Sequence, residues 1–165
     1  MPGLQPPLKP PGQGAEDAAL RLERYMHAHI PLVSQMRVRV ATYDAAGITL
    51  AAPLAPNINH EKSAFGGSLA SLMTLACWGY LWLLLEAEKD LHIVVNEAKL
   101  RYSKPVTGEL VARCTAPGTE ALAGFLQTLK RRGKARLELR AEVRQDGGLA
   151  AEYSGSFVAY RGERP

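Results

Sequence analysis

The chain has 165 residues, 47% of them hydrophobic and 22% charged, which suits one globular domain around a single sizeable core. Its formal charge of +4 tolerates anionic partners, but Lys and Arg are interspersed with Asp and Glu, and no nucleic-acid surface is expected. Two cysteines, Cys77 and Cys114, form no disulfide framework and fit a reducing, cytoplasmic setting.

Residues 1–14, "MPGLQPPLKPPGQG", have no apolar signal core, and five prolines with three glycines predict a disordered tail ahead of one domain over 15–165. "AEDAALRLERYMHAHI" predicts a helix that Pro31 closes. On such a helix His27 and His29 diverge, so no metal site is expected there. "MRVRVATYD" alternates at period two and predicts a half-buried strand, "DAAG" a turn, and "ITLAAPL" the returning strand.

From Ser63 to Leu85 there is no charged residue, which is long enough for a membrane span, a buried helix or the floor of an active site. Phe65, Gly66 and Gly67 shorten the helix, which is expected to begin near Ser68. Its C-terminal flank, "EAEKD", is mostly acidic and offers no cationic anchor, so a core helix is expected rather than a span. Ser68, Ser71 and Thr74 make a hydroxyl stripe, which bonds back to the preceding turn or faces a ligand. A helix N-terminus with two glycines exposes amide donors that suit a polarised carbonyl; the alternative is a tight turn and nothing more.

Beyond it, "LHIVVNEAKLRYSKPV" and "ELVARCTA" predict strands, and "KARLELRAEVRQ", "DGG" and "LAAEYSGSFVAY" predict a terminal hairpin. Between them "GTEALAGFLQTLKRRG" is read as a helix or an irregular connection, since Gly124 interrupts it. Strict alternation along 91–102 puts Asn96, Ala98, Leu100 and Tyr102 on the helix side. It turns Ile93, Val95 and Glu97 away from that side. Some six strands without crossover helices make an antiparallel sheet, hence α+β.

Asn59, six residues before Phe65-Gly66-Gly67, with Leu72 and Thr74 beyond, resembles the loop-helix motif of the hotdog-fold thioesterases. That motif reads Asn, five residues, His-Gly-Gly, four residues, Leu, one residue, Asp. "LRYSKPVTGELVARC" is similar to the family's long strand and turn. "PLAPNINHEKSAFGGSL" with "CWG" looks closer to the thioesterase domain at the C-terminus of some GNAT-type acetyltransferases, where Phe-Gly-Gly is usual; here the stand-alone form is expected.

The resemblance implies a hotdog fold, a curved antiparallel sheet wrapped around one long central helix. It implies homodimers or dimers of dimers, and thioesters of coenzyme A or acyl carrier protein as substrates, with coenzyme A entering only as part of the substrate. Carried over, Asn59 orients water or thioester, the amides of Gly66 and Gly67 hold the carbonyl oxygen, and Thr74 stands where relatives keep a catalytic Asp. Phe65, Ser68 and Ser71 would line the substrate, and Lys104, Arg131 and Arg132 would meet the phosphates of coenzyme A. Phe65 replaces a His and Thr74 a carboxylate, so base candidates extend to Glu97 and the His60–Glu61 pair; Glu97 has a surface ion pair with Lys99 or Arg101 as its alternative. A thioester hydrolase is expected, with a non-catalytic acyl-CoA or acyl-carrier-protein binding module as the alternative, and a dehydratase ranks third.

Overall fold

The computed structural model describes residues 13–162, so the tail expected over 1–14 lies, apart from its last two residues, outside the described residues. Those two already belong to α1 (Gln13–His29), and α2 (Pro31–Met36) follows at once. Pro31 therefore does two things: it ends one helix and occupies the first turn of the next, where its missing N–H is not needed. The strand expected from Met36 begins only at Arg39, after Arg37 turns the chain with φ of 56°.

β1 (Arg39–Asp44) and β2 (Gly47–Ala52) form the first hairpin. A 3-10 turn (Ala55–Asn57) and an irregular loop lead into α3 (Gly66–Leu85). β3 (Leu91–Tyr102), β4 (Leu110–Thr115), α4 (Thr119–Arg132), β5 (Lys134–Gln145) and β6 (Gly148–Arg161) complete the chain. The strands make one antiparallel sheet in the order β1-β2-β4-β5-β6-β3, with β1 and β3 at its edges. The open question over 118–133 resolves as a helix, because Gly124 faces open space and the buried stripe of Phe125 and Leu129 carries the packing.

The sheet curls around α3. β5 alternates strictly, with Leu137, Leu139 and Val143 buried against the helix and charged residues outward. α1 closes another side with Leu22 and Met26, and the Tyr25 ring lies tilted against Trp82 at 5.0 Å between ring centres. By length and composition α3 could cross a bilayer, but 11 of its 20 residues are buried by the protein's own sheet and helices.

β3 departs from the expected alternation at one point. The register runs Val95↔Phe157 and then Glu97↔Ser156, so Asn96 is the extra residue of a β-bulge. Beyond it Ala98, Leu100 and Tyr102 share the helix-side face, as expected, and Glu97 points away. Before it the parity reverses: Ile93 and Val95 pair with the buried Ala159 and Phe157 and lie on the helix side, not the outer one.

Candidate active site

The approach to α3 is built by two asparagines. Asn57, 2% exposed, donates its side-chain amide to the carbonyls of Met36 (2.9 Å) and Pro53 (2.8 Å), and its main-chain carbonyl accepts the N–H of Phe65 at 2.7 Å. Asn59 organises the following turn. Its Oδ1 accepts the N–H groups of Glu61 (2.9 Å) and Ser63 (3.1 Å), and its Nδ2 donates to Ser63 Oγ at 3.1 Å and the Ala64 carbonyl at 3.4 Å. Both ends of the Asn59 side chain are thus engaged in shaping the loop. The main chain is pinned as well, with Ala64 N–H on the Val106 carbonyl at 2.7 Å.

The helix begins at Gly66, two residues earlier than the sequence suggests, with Phe65 as its N-cap. Phenylalanine has no side-chain acceptor, so nothing caps the first turn, and the first intrahelical bond there is Leu69 N–H to the Phe65 carbonyl. Gly66, Gly67 and Ser68 present N–H donors with no partner among the described residues, at the positive end of a helix about 30 Å long. Gly67 has no left-handed backbone; a Cβ there would overlap the Phe65 ring. Its glycine therefore makes room for that ring, which is 56% exposed at the helix entrance.

Beside this terminus lies a recess of about 330 Å³ lined by Ala64, Gly66, Leu69, Tyr102, Lys104 and Val106, among others. Tyr102, at the end of β3, donates its hydroxyl to the Gly66 carbonyl at 3.0 Å. The sequence placed Tyr102 on the correct face but gave no sign of this contact, which joins residues 36 apart. Lys104 is the expected phosphate-binding residue that the fold brings to this recess.

Arg131 and Arg132 are elsewhere. They end α4, next to Gly133, whose carbonyl accepts the N–H of Arg161; that arginine in turn pairs with Glu88 just past the last turn of α3. Within the chain they sit at the opposite end of α3 from Gly66. The hydroxyl stripe also divides: Ser71 bonds back to the Gly67 carbonyl at 2.8 Å, while Ser68 and Thr74 make no hydrogen bond among the described residues.

Against Thr74 stands a group the sequence reading did not single out. Tyr153 of β6 is 2% exposed, and its Oη has no hydrogen-bond partner. Burial pushes its pKa up; the nearby Thr74 hydroxyl draws it partly back, although the two do not close into a hydrogen bond. The phenol thus stays protonated at neutral pH and has a hydrogen bond to give.

The remaining base candidates are remote or solvated. His60 Nε2 and Glu61 Oε1 are 3.1 Å apart, closer than adjacent loop residues usually point, but the side chains are 86% and 75% exposed. Glu97 lies on the outer sheet face, and the ion pair given as its alternative, with Lys99 or Arg101, does not form among the described residues, Arg101 going instead to Glu152 at 3.4 Å. His27 is spent on Ser34 Oγ (2.9 Å) and the Val38 carbonyl (2.7 Å), and no group of metal-ligating side chains occurs among the described residues.

The fold recurs in solved structures. A protein of unknown function from Chlorobaculum tepidum is 32% identical, over 90% of this chain and 97% of its own, with a TM-score of 0.86. A Shewanella oneidensis protein called a "putative thioesterase" is 31% identical over 88% and 99%, with a TM-score of 0.78. A thioesterase from Haemophilus influenzae, 14% identical over 87% and 90% with a TM-score of 0.67, shares the fold. The family model described as "Putative thioesterase (yiiD_Cterm)" matches residues 19–161, and this hotdog-fold chain belongs to that family.

Proposed function

We propose that the protein hydrolyses acyl thioesters of coenzyme A or an acyl carrier protein, in the cytoplasm, as a homodimer or a dimer of dimers. The observation that carries this reading is the uncapped start of α3, whose unpartnered amides border a recess. The thioester oxygen would accept hydrogen bonds from Gly66 and Gly67, where negative charge develops as water adds to the carbonyl carbon. Collapse of the tetrahedral adduct expels the thiolate, and the proton released by the water returns to it. Asn59 serves by holding the loop that sets Phe65 and Gly66 in place, and Lys104 lies within reach of an anionic portion of the substrate.

Thr74 lies seven residues beyond Gly67, about 10 Å along the helix axis, so it cannot touch a carbonyl held by the same α3. A second protomer would have to supply it. β3 supports such pairing, because this edge strand leaves Val94, Val95, Leu100 and Tyr102 exposed in the single chain. Light scattering that returns a monomer at tens of micromolar would remove a shared site.

A second reading, a non-catalytic acyl-thioester binder, is favoured by Phe65 and Thr74, since neither side chain is a base at neutral pH. The experiment that separates the two is release of free thiol from a panel of acyl-CoAs, read with a thiol reagent. Hydrolysis should fall at least tenfold in Asn59→Ala. Binding without thiol release across the panel would transfer the chain to the second reading.

A further inference from the structure

A concavity of about 560 Å³ lies on the other side of the sheet from α3. Its floor follows from strand register. Lys99 of β3 pairs with Ser154 of β6, Ser154 with Arg140 of β5, and Arg140 with Thr115 of β4. Directly opposed residues in an antiparallel sheet share a face, so these four form one row across four strands, roughly 14 Å long. The neighbouring row, Leu100, Tyr153, Ala141 and Cys114, faces α3, which puts the Lys99 row on the outer surface. Its shape comes from side-chain length: the short hydroxyl of Ser154 lies between a long lysine and a long arginine.

The charges around this row are unevenly matched. Of the six charged residues that line the concavity, Lys99, Arg101, Arg113 and Arg140 are cationic, and Glu142 and Glu152 are anionic. Both carboxylates already have cations: Glu152 takes Arg101 at 3.4 Å, and Glu142 takes Arg144 at 2.8 Å. Arg113 turns to Asp44 at 3.6 Å and Thr49 at 3.1 Å. Among the described residues Lys99 and Arg140 have no carboxylate partner; Glu97 and Glu138 stand in the next outward-facing row, two rows along, outside the lining.

We propose that Lys99, Ser154, Arg140 and Thr115 form a binding site for a phosphate ester of nucleotide size. The arginine offers a planar fork of donors and the lysine a mobile point charge, while the two hydroxyls donate from the floor to a tetrahedral anion. A volume of about 560 Å³ exceeds what one inorganic anion needs and lies in the range of sites for small organic ligands. The site lies on the opposite sheet face from the Gly66–Gly67 amides, and its occupation needs no turnover, so it stands or falls independently of the thioesterase reading.

The test is calorimetric titration of the full-length protein with ADP and, separately, with inorganic pyrophosphate. ADP should bind, and Lys99→Ala and Arg140→Ala should each weaken it about tenfold or more, as loss of a charge-assisted contact does. Lys99→Arg, which keeps the charge, should retain most of the affinity. ADP binding more tightly than pyrophosphate supports an organic phosphate; equal affinities keep the anion row and assign it to the phosphates alone. No binding of either compound at millimolar concentration, or binding that both alanine variants leave unchanged, overturns the proposal. Because both side chains are surface residues, the variants should fold, and matched circular dichroism spectra verify that.

Discussion

Removing one oxygen atom from Tyr153 should make the protein more stable. The phenol is 2% exposed and its Oη has no hydrogen-bond partner, so folding strips it of water without replacement. Leaving such a group unsatisfied costs about 1–3 kcal/mol. Tyr153→Phe keeps the ring, which occupies the space above Gly155 and lies 6.5 Å from Phe157 between ring centres. No cavity larger than the lost oxygen opens, and the expected gain is about 1–3 kcal/mol. For a chain of this size each kcal/mol corresponds to about 2–4 °C in Tm. Urea unfolding followed by circular dichroism should show the midpoint rising with an unchanged slope. If the midpoint instead falls by the equivalent of 1 kcal/mol or more, the hydroxyl has a partner. Thr74 is then the first to test, since Thr74→Val would produce the same loss without an additive double mutant.

Gly47→Ala should destabilise by about 2 kcal/mol or more, because Gly47 sits at φ of 141° and a Cβ would overlap the Cys114 carbonyl; thermal unfolding reads it. Gly67→Ala should cost less, about 1 kcal/mol or below, since the obstructing Phe65 ring is exposed and can swing away, but it should raise KM if that ring lines the substrate. Tyr80 is pushed up to about 12, first by burial and then by negative charge at Tyr43 and Cys114. Its unfolded counterpart ionises near 10, so the unfolded chain sheds the proton first and stability is lost as pH rises from about 10 to about 12, by up to about 1.4 kcal/mol per unit. Equilibrium unfolding across that range should show the decline, and Tyr80→Phe should make it shallower, Tyr43, Cys77 and Tyr153 being raised as well.

The elements that were legible in the sequence are those whose signals are local and long. α3 declares itself by an uninterrupted apolar run, and the β5–β6 hairpin by alternation around a turn where Asp146 and Gly147 both take positive φ. α2 was hidden because six residues are too few for a helical period, and Pro31 reads as a stop as readily as a start. The inner and outer faces of β3 were half wrong for a different reason. A single added residue at Asn96 exchanges the faces on one side of it, and composition does not reveal where such a residue falls. In the site, the loop residues Asn59, Gly66 and Gly67 are contiguous enough to be read together. Tyr102 and Tyr153 reach α3 from strands far along the chain, and only the register of the sheet brings them there.

The strand order also sets a timetable for synthesis. β3 is complete at Tyr102, yet the strand it pairs with, β6, runs from Gly148 to Arg161. At about 5–20 residues per second, a ribosome needs several seconds to make the intervening chain. During that interval β3 has no neighbour and the apolar α3 has only part of its sheet. The nascent protein is therefore most vulnerable to capture by other chains in the middle of its translation, and closure depends on its last strand, since β5 and β3 both dock on it. A chain cut before Gly148 would keep β1, β2, β4 and β5 against α3 but would leave β3, the strand that carries Tyr102 to the α3 N-terminus, without its partner.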